Sequence, residues 1–447
     1  MRDVRLLFVA FVLCLPLVTP KIRGADEIEY FSYLHSLFFD HDLEFGNEYQ
    51  YFYDRDPVGL AGFHATFLER RETQTERHIN FGPIGTALLW APFYLLAHVV
   101  VLGLFHAGVP VVPDGLSAPY QAAACYASVF YGFWGLLILQ KILRSRFSEA
   151  ASLGATLGVL FATPLLYYMT LAPGFSHAVS IFAVTLLLWL FLRARSSGSR
   201  IRDWAIVGAA GGLAGLVREQ DALFLAIPLA HLAWEGFHSG LGRALVRMGA
   251  ILLAAFCVFL PQRFVYRSLN GTFGPSHLVA RKLSFLSPHF LDVLLSPAHG
   301  LFLWSPLLVL AVVGLGLFAF RLREELGILF LGGFLLQVWI NGSLESWTQA
   351  GAFGSRRFLS ATPLFAFGLA TLLEMLLPSL GRFVLGALVA LFVWWNVSLM
   401  VQFGLRLMDR QGLEWPRVAE NQFLEVPPRL GRVVRLFFTH RERLVHP

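Results

Sequence analysis

The sequence predicts an all-α chain: a polytopic bundle of transmembrane helices, about eleven crossings, with a first outward loop that carries juxtamembrane helices. Three observations predict it. Hydrophobic residues make up 56% of the 447 and charged residues only 14%, where soluble domains carry about 25% charge. Mean hydropathy is +0.61. Apolar runs of roughly twenty residues recur along the chain, the length a helix needs to cross a bilayer, and they do not alternate as barrel strands would.

The first run, Leu6 to Val18, follows Arg2 and Arg5. That also describes a signal peptide, but Thr19-Pro20-Lys21 follows in place of a small-residue cleavage site, so the run reads as a retained first helix with its basic end in the cytoplasm. Residues 21–83 then form an outward loop. It opens with a helix, Ala25 to Phe39, whose Tyr30, Phe31, Tyr33, Leu34, Leu37 and Phe38 make an apolar stripe opposite Glu29, Ser32 and Ser36. Such a helix is expected to lie along the membrane surface.

The next apolar run, Ile84 to Phe105, sets the phase of all the others. A full crossing there puts Lys141, Arg144 and Arg146 outside, against the positive-inside bias. A re-entrant or interfacial run around Leu88 to Leu104 puts the basic links at Lys141 to Arg146, Arg193 to Arg202, Arg243 to Arg247, Arg321 to Arg323 and Arg382 inside. The remaining spans then run from Pro119 to Leu139, Ala151 to Thr170, Ser176 to Leu192, Ala205 to Leu216, Ala222 to Trp234, Ile251 to Val265, Leu301 to Phe320, Leu326 to Ile340, Phe358 to Leu377 and Phe383 to Val401. Residues 1–402 form this membrane domain. A polar tail, 403–447, carries eight arginines.

Net charge is +6, but the arginines are scattered between apolar runs rather than gathered on one face, so helix orientation explains them better than nucleic acid. Cys14, Cys125 and Cys257 lie inside apolar runs at irregular spacing, which reads as core packing rather than a metal site.

The polar residues of the outward loops carry a resemblance. Asp26-Glu27 with Glu29-Tyr30 follows the first helix, and His78-Ile79-Asn80-Phe81-Gly82-Pro83-Ile84-Gly85 opens the second run. Gly215-Leu216-Val217-Arg218, the Ser296 to Pro306 segment, and Trp347 to Phe358 with its Gly354-Ser355-Arg356-Arg357-Phe358 core come later. In order and placement these resemble the GT-C superfamily of membrane glycosyltransferases, above all the protein O-mannosyltransferase and aminoarabinose transferase branch and its bacterial relatives.

The resemblance implies transfer of a sugar from a polyprenyl-phosphate-linked donor to an acceptor hydroxyl on the outer face of the membrane, in the cell envelope, with the protein in a bacterial plasma (inner) membrane. The acceptor is a protein, lipid or glycan. Such chemistry needs a base for the hydroxyl and donors or cations for the departing phosphate. Asp26 matches the base, and Glu27 shares or orients. The plain alternative for both is an acidic first turn favoured by the helix dipole.

Arg356 and Arg357 fit a phosphate-gripping fork, or snorkelling at the interface. Arg218, beside Glu219 and Asp221, fits donor binding or a local ion pair. His78, Asn80, His177 and Trp347 complete the candidate substrate contacts, Trp347 by sugar stacking. No cofactor is required on this reading. Asp40 and Asp42 have metal-pair spacing, but the mannosyltransferase-like branch does not generally need a divalent metal. The competing functions are a transporter or flippase for a lipid-linked or amphipathic solute, using Arg218 and Asp221 as intramembrane charges, and a noncatalytic scaffold.

Overall fold

A computed structural model describes residues 2–440 apart from Thr73, Ser197, Ser199, Ser287 and Ala350. The expected tail therefore lies partly outside the described residues, at 441–447. Among those described, the regular structure is helical and the only β pairing is isolated bridges.

The helices used below are α1 Arg2–Cys14, α2 Ala25–His35, α3 Gly46–Tyr53, α4 Gly85–His106, α5 Ala118–Arg144, α6 Glu149–Phe161, α7 His177–Ala194, α8 Ile201–Val217, α9 Ala226–Ser239, α10 Leu241–Asn270, α11 Leu307–Gly316, α12 Glu325–Gly342, α13 Thr362–Gly404 and α14 Val426–Thr439. Six described helices are long and apolar enough to cross a membrane: α4, α5, α7, α10, α12 and the run that contains α13. Side chains such as Leu96, Val99, Leu253 and Phe264 stand exposed on α4 and α10, a surface suited to lipid rather than water. Cys257 is exposed on α10, so the core placement expected for the cysteines holds only for Cys14 and Cys125.

The chain divides into two compact units. One comprises residues 1–16, 136–167 and 283–447; the other comprises 17–135 and 168–282.

In the first unit, α13 is two arms. Gly381 leaves helical geometry (φ 74°, ψ 164°) just after Pro378, and a Cβ built on Gly158 of α6 would meet Leu369 of one arm at 3.0 Å and Val389 of the other at 3.7 Å. Twenty residues of unbroken helix would hold those two side chains about 30 Å apart, so the chain turns back at the break, with Arg382 beside it, as the two expected spans require.

Charged groups mark one end of this unit. Asp3 accepts from Gln140 at 3.1 Å and meets Arg144 at 3.4 Å, Arg146 meets Glu324 at 3.7 Å, and Ser148 donates to Glu374 through its amide and hydroxyl. The basic links around Lys141 to Arg146 and Arg321 to Arg323 thus share an end with the chain's N-terminus.

Two expected spans are interrupted. Ala151 to Thr170 breaks after Phe161 and resumes at Leu165–Thr170, and Leu301 to Phe320 breaks at Ser305-Pro306. The first break exposes carbonyls that lipid cannot satisfy; Asn396 donates to those of Phe161 and Thr163 at 2.9 and 2.8 Å.

α11 and α13 are in backbone contact. A Cβ on Gly368 would lie 1.9 Å from the Ala311 carbonyl, and one on Gly314 would lie 1.9 Å from that of Gly368. Small residues permit such approach inside a membrane. Gly368→Val should therefore leave little monodisperse protein on size exclusion in detergent. Gly316→Val, on α11 and with open space around the position, should be tolerated.

In the second unit the first loop has a core of its own. Phe31 packs edge-on against Phe52, Tyr33 against Phe45, and Tyr49 against Phe63 and Phe67. α2 is consequently buried on every side from Glu27 to Ser36, not laid along a membrane surface as its apolar stripe suggested. The loop aromatics cover one face, and the 171–176 turn approaches another.

The run from Ile84 to Phe105, expected to be re-entrant or interfacial, is one continuous helix, α4, of 22 residues with Pro92 inside. Its flanking segments nevertheless return to the same short helix. Gly82 just before it accepts from Tyr33 of α2 at 2.9 Å, and Gly115 beyond it lies against His35, Phe39 and Tyr94.

Candidate active site

The site is built on the first turn of α2, in the second unit. Burial of Glu27 is nearly complete, and its carboxylate accepts from the amides of Arg23 and Gly24 at 2.7 and 2.8 Å. It thereby satisfies donors that a helix start leaves open. Burial raises its pKa to about 7 against those hydrogen bonds. Asp26 is half-buried beside it. The turn carrying Gly174 closes on this start: a Cβ there would meet Ile22 at 2.8 Å and the Glu27 carboxyl at 2.9 Å, so a side chain there would have to displace both.

From α2 a polar chain leads to Arg218. Ser176 donates to the Tyr30 hydroxyl at 3.1 Å. Arg218 donates to Ser176 and to His177 Nδ1, each at 3.2 Å, and to Gln220 at 3.3 Å. It can do so because α8 ends there in extended backbone (φ −149°, ψ 120°), turning the guanidinium back over the start of α7. Burial raises the Tyr30 pKa to about 12; the Arg218 charge pulls it down and Asp26 pushes it up. Tyr30 thus lies one helical turn from Asp26 and one hydrogen-bonded step, through Ser176, from Arg218. Glu219 accepts from Tyr266, and Asp221 from Ser180 at 2.5 Å.

His78 and Asn80 are woven into the loop. His78 bonds to Glu44, and Asn80 donates to the Glu29 carbonyl at 3.0 Å while accepting from Gly82 at 2.8 Å. Glu29, which the sequence pattern put on a polar outer face, is buried and accepts from the Phe81 amide. Burial, then Asp26, raises its pKa to about 8.

An acid held protonated in the fold loses stability as pH rises from its unfolded value, near 4.5, toward its folded one. Glu29 therefore destabilises the fold progressively between pH 5 and 8, and Glu27 does the same over a narrower window. Glu29→Gln keeps an acceptor for Phe81. Its melting temperature should fall less than the parent's across that range in a pH series of thermal melts; an unchanged slope would show that Glu29 is not the group involved.

The first unit holds the other candidates. His299 is buried with φ 66° and stacks on Trp304 at 5.0 Å; its Nε2 lies 2.7 Å from the Ala352 carbonyl. Burial holds its pKa below the ordinary value, so it is neutral. Arg357 donates to the Ser346 carbonyl at 3.0 Å and hydroxyl at 2.9 Å. Arg356 is half-buried and lowers the His299 proton affinity further. Trp347 stacks on His289 at 5.1 Å.

Asp40 and Asp42 do not act as a pair. Asp42 accepts from the Glu44 amide at 3.0 Å. Asp40 joins His35 and Glu48, whose ligand atoms lie within 4.8 Å of one another, a spacing open to one ion; His35 Nδ1 sits 3.1 and 2.9 Å from the two carboxylates.

Residues 116–263, which include Ser176, His177 and Arg218, match the family model for dolichyl-phosphate-mannose-protein mannosyltransferases. The fold is similar to ArnT from Cupriavidus metallidurans, both in its crystal structure bound to undecaprenyl phosphate (TM-score 0.52, 17% identity) and in the apo state (TM-score 0.50, 16% identity). Each match covers 94% of this chain and 74% of ArnT. No curated protein matches the sequence. The chain is a multi-pass membrane protein with an ArnT-like, GT-C fold.

Proposed function

We propose that this protein moves a sugar from a polyprenyl-phosphate-linked donor to an acceptor hydroxyl, with Asp26 as general base, at the outer face of a bacterial inner membrane. The observation that carries the reading is the hydrogen-bonded chain that joins Arg218 through Ser176 to Tyr30, one helical turn from Asp26, in a unit that overlaps the mannosyltransferase family match. ArnT's bound undecaprenyl phosphate supports the donor class.

In the reaction, Asp26 takes the acceptor's hydroxyl proton, the oxygen forms a bond to the anomeric carbon, and the bond from that carbon to the phosphate oxygen breaks with inversion. The lipid phosphate leaves with the electron pair. Arg218, with His177 beside it, holds the developing phosphate charge. Glu27 keeps the base's helix turn in place, and His78 and Asn80 shape the wall behind it. Arg356, Arg357 and Trp347 are candidate phosphate and sugar contacts of the other unit. The chemistry requires no metal. Residues 1–402 carry it, and 403–447 is an appended tail.

The test is transfer from labelled polyprenyl-phosphate sugars by purified protein in nanodiscs, with and without a chelator. Transfer that survives chelation supports the proposal. Movement of intact lipid-linked sugar between leaflets, without cleavage, would favour the transporter.

A further inference from the structure

The polar tail is organised against the membrane domain. Gln422 accepts from Gln402 at 3.0 Å and donates to the Trp394 carbonyl at 3.4 Å. Trp415 stacks on Trp395 at 6.0 Å, and Asn421 donates to the Leu407 carbonyl at 2.9 Å. These contacts fold the tail back along the second arm of α13, an apolar helix, and set α14 beside it.

α14 has three distinct sides. Val426 is buried against the protein. Val434 and Phe438, a turn apart, are 47% and 55% exposed, and Phe423 and Leu424 just before the helix are each 67% exposed. Arg429, Arg432 and Arg435 share the remaining side, within about a third of the helix circumference. Arg429 pairs with Glu425, leaving the Arg432 and Arg435 charges displayed. From Val426 to His440 there are three arginines and no acid.

We infer that α14 is an interfacial helix that docks on an anionic lipid leaflet. Val434 and Phe438, with Phe423 and Leu424, enter the acyl boundary, and Arg432 and Arg435 meet the lipid phosphates. A basic, strongly amphipathic helix with bulky apolar residues on one side has the chemistry of a bilayer surface. Its attachment to an apolar helix of a membrane protein holds it at that surface. The inference stands apart from the catalytic reading, since it uses none of those residues.

The test uses the full chain with Cys257→Ser, to remove the exposed thiol, and Gly431→Cys, a position with open space around its Cβ, carrying a fluorophore. The protein is placed in nanodiscs of phosphatidylcholine, with or without phosphatidylglycerol, containing a headgroup-depth nitroxide lipid. Lipid quenching should rise when phosphatidylglycerol is present. Arg432→Gln/Arg435→Gln should lower the docked-to-undocked ratio about fivefold per arginine, roughly 25-fold together, and Arg432→Lys/Arg435→Lys should restore it. Unchanged melting temperature in the Gln variant separates lost docking from lost fold. Quenching indifferent to lipid charge, a label that nitroxide lipid does not reach, or label-to-label contact in discs holding two copies would each overturn the inference.

Discussion

Asp26→Asn should lower sugar transfer roughly 10²–10⁴-fold while donor binding and the melting temperature stay near those of the parent. Asparagine has almost the same shape but takes no proton from a hydroxyl at neutral pH. Glu27, not Asp26, accepts from the amides of Arg23 and Gly24, so those two donors keep their partner in the variant. Glu27 gives the opposite pattern. Glu27→Gln retains an acceptor and should transfer sugar at close to the parent rate, whereas Glu27→Ala leaves two donors unpaired and should first appear as a lower melting temperature. Equal transfer by the parent and Asp26→Asn would remove Asp26 as base, and a large rate loss in Glu27→Gln would move that role to its neighbour.

The apolar runs were legible because crossing a bilayer demands length and composition alone, and the break between the two arms of α13 showed in sequence as Arg382 between two runs. The order of the polar motifs likewise marked the α2 start and Arg218. What composition could not show was the partner of each side chain. Glu29 looked like the solvent side of an amphipathic helix, yet its partner, the Phe81 amide, lies 52 residues on. Tyr30 counted as part of an apolar stripe, and only folding brings Ser176 to its hydroxyl. The loop's aromatic core was hidden for the same reason: Tyr33 read locally as part of a membrane-facing stripe, and it packs against Phe45. The interruption at Pro164 was unreadable without Asn396, which makes it tolerable from more than 230 residues away.

Arg218 is where the local and functional readings diverge most measurably. If it served only to hold α8 and α7 together, Arg218→Lys would lower the melting temperature and affect all substrates alike. If it receives the donor phosphate, the substitution keeps the charge but loses the planar fork that matches two phosphate oxygens at once. One charge-assisted hydrogen bond is worth about 1.5–3 kcal/mol, so KM for the lipid-linked donor should rise roughly 10–100-fold. KM for the acceptor should move little. Arg218→Gln, which also removes the charge, should bring transfer close to background. Ser176, His177 and Gln220 are polar groups able to bond to one another or to water when the guanidinium is withdrawn, so either variant should still fold. The decisive measurement is the rise in melting temperature on adding undecaprenyl phosphate: the parent should show it, Arg218→Gln should lose it, and retention by Arg218→Gln would place the phosphate elsewhere.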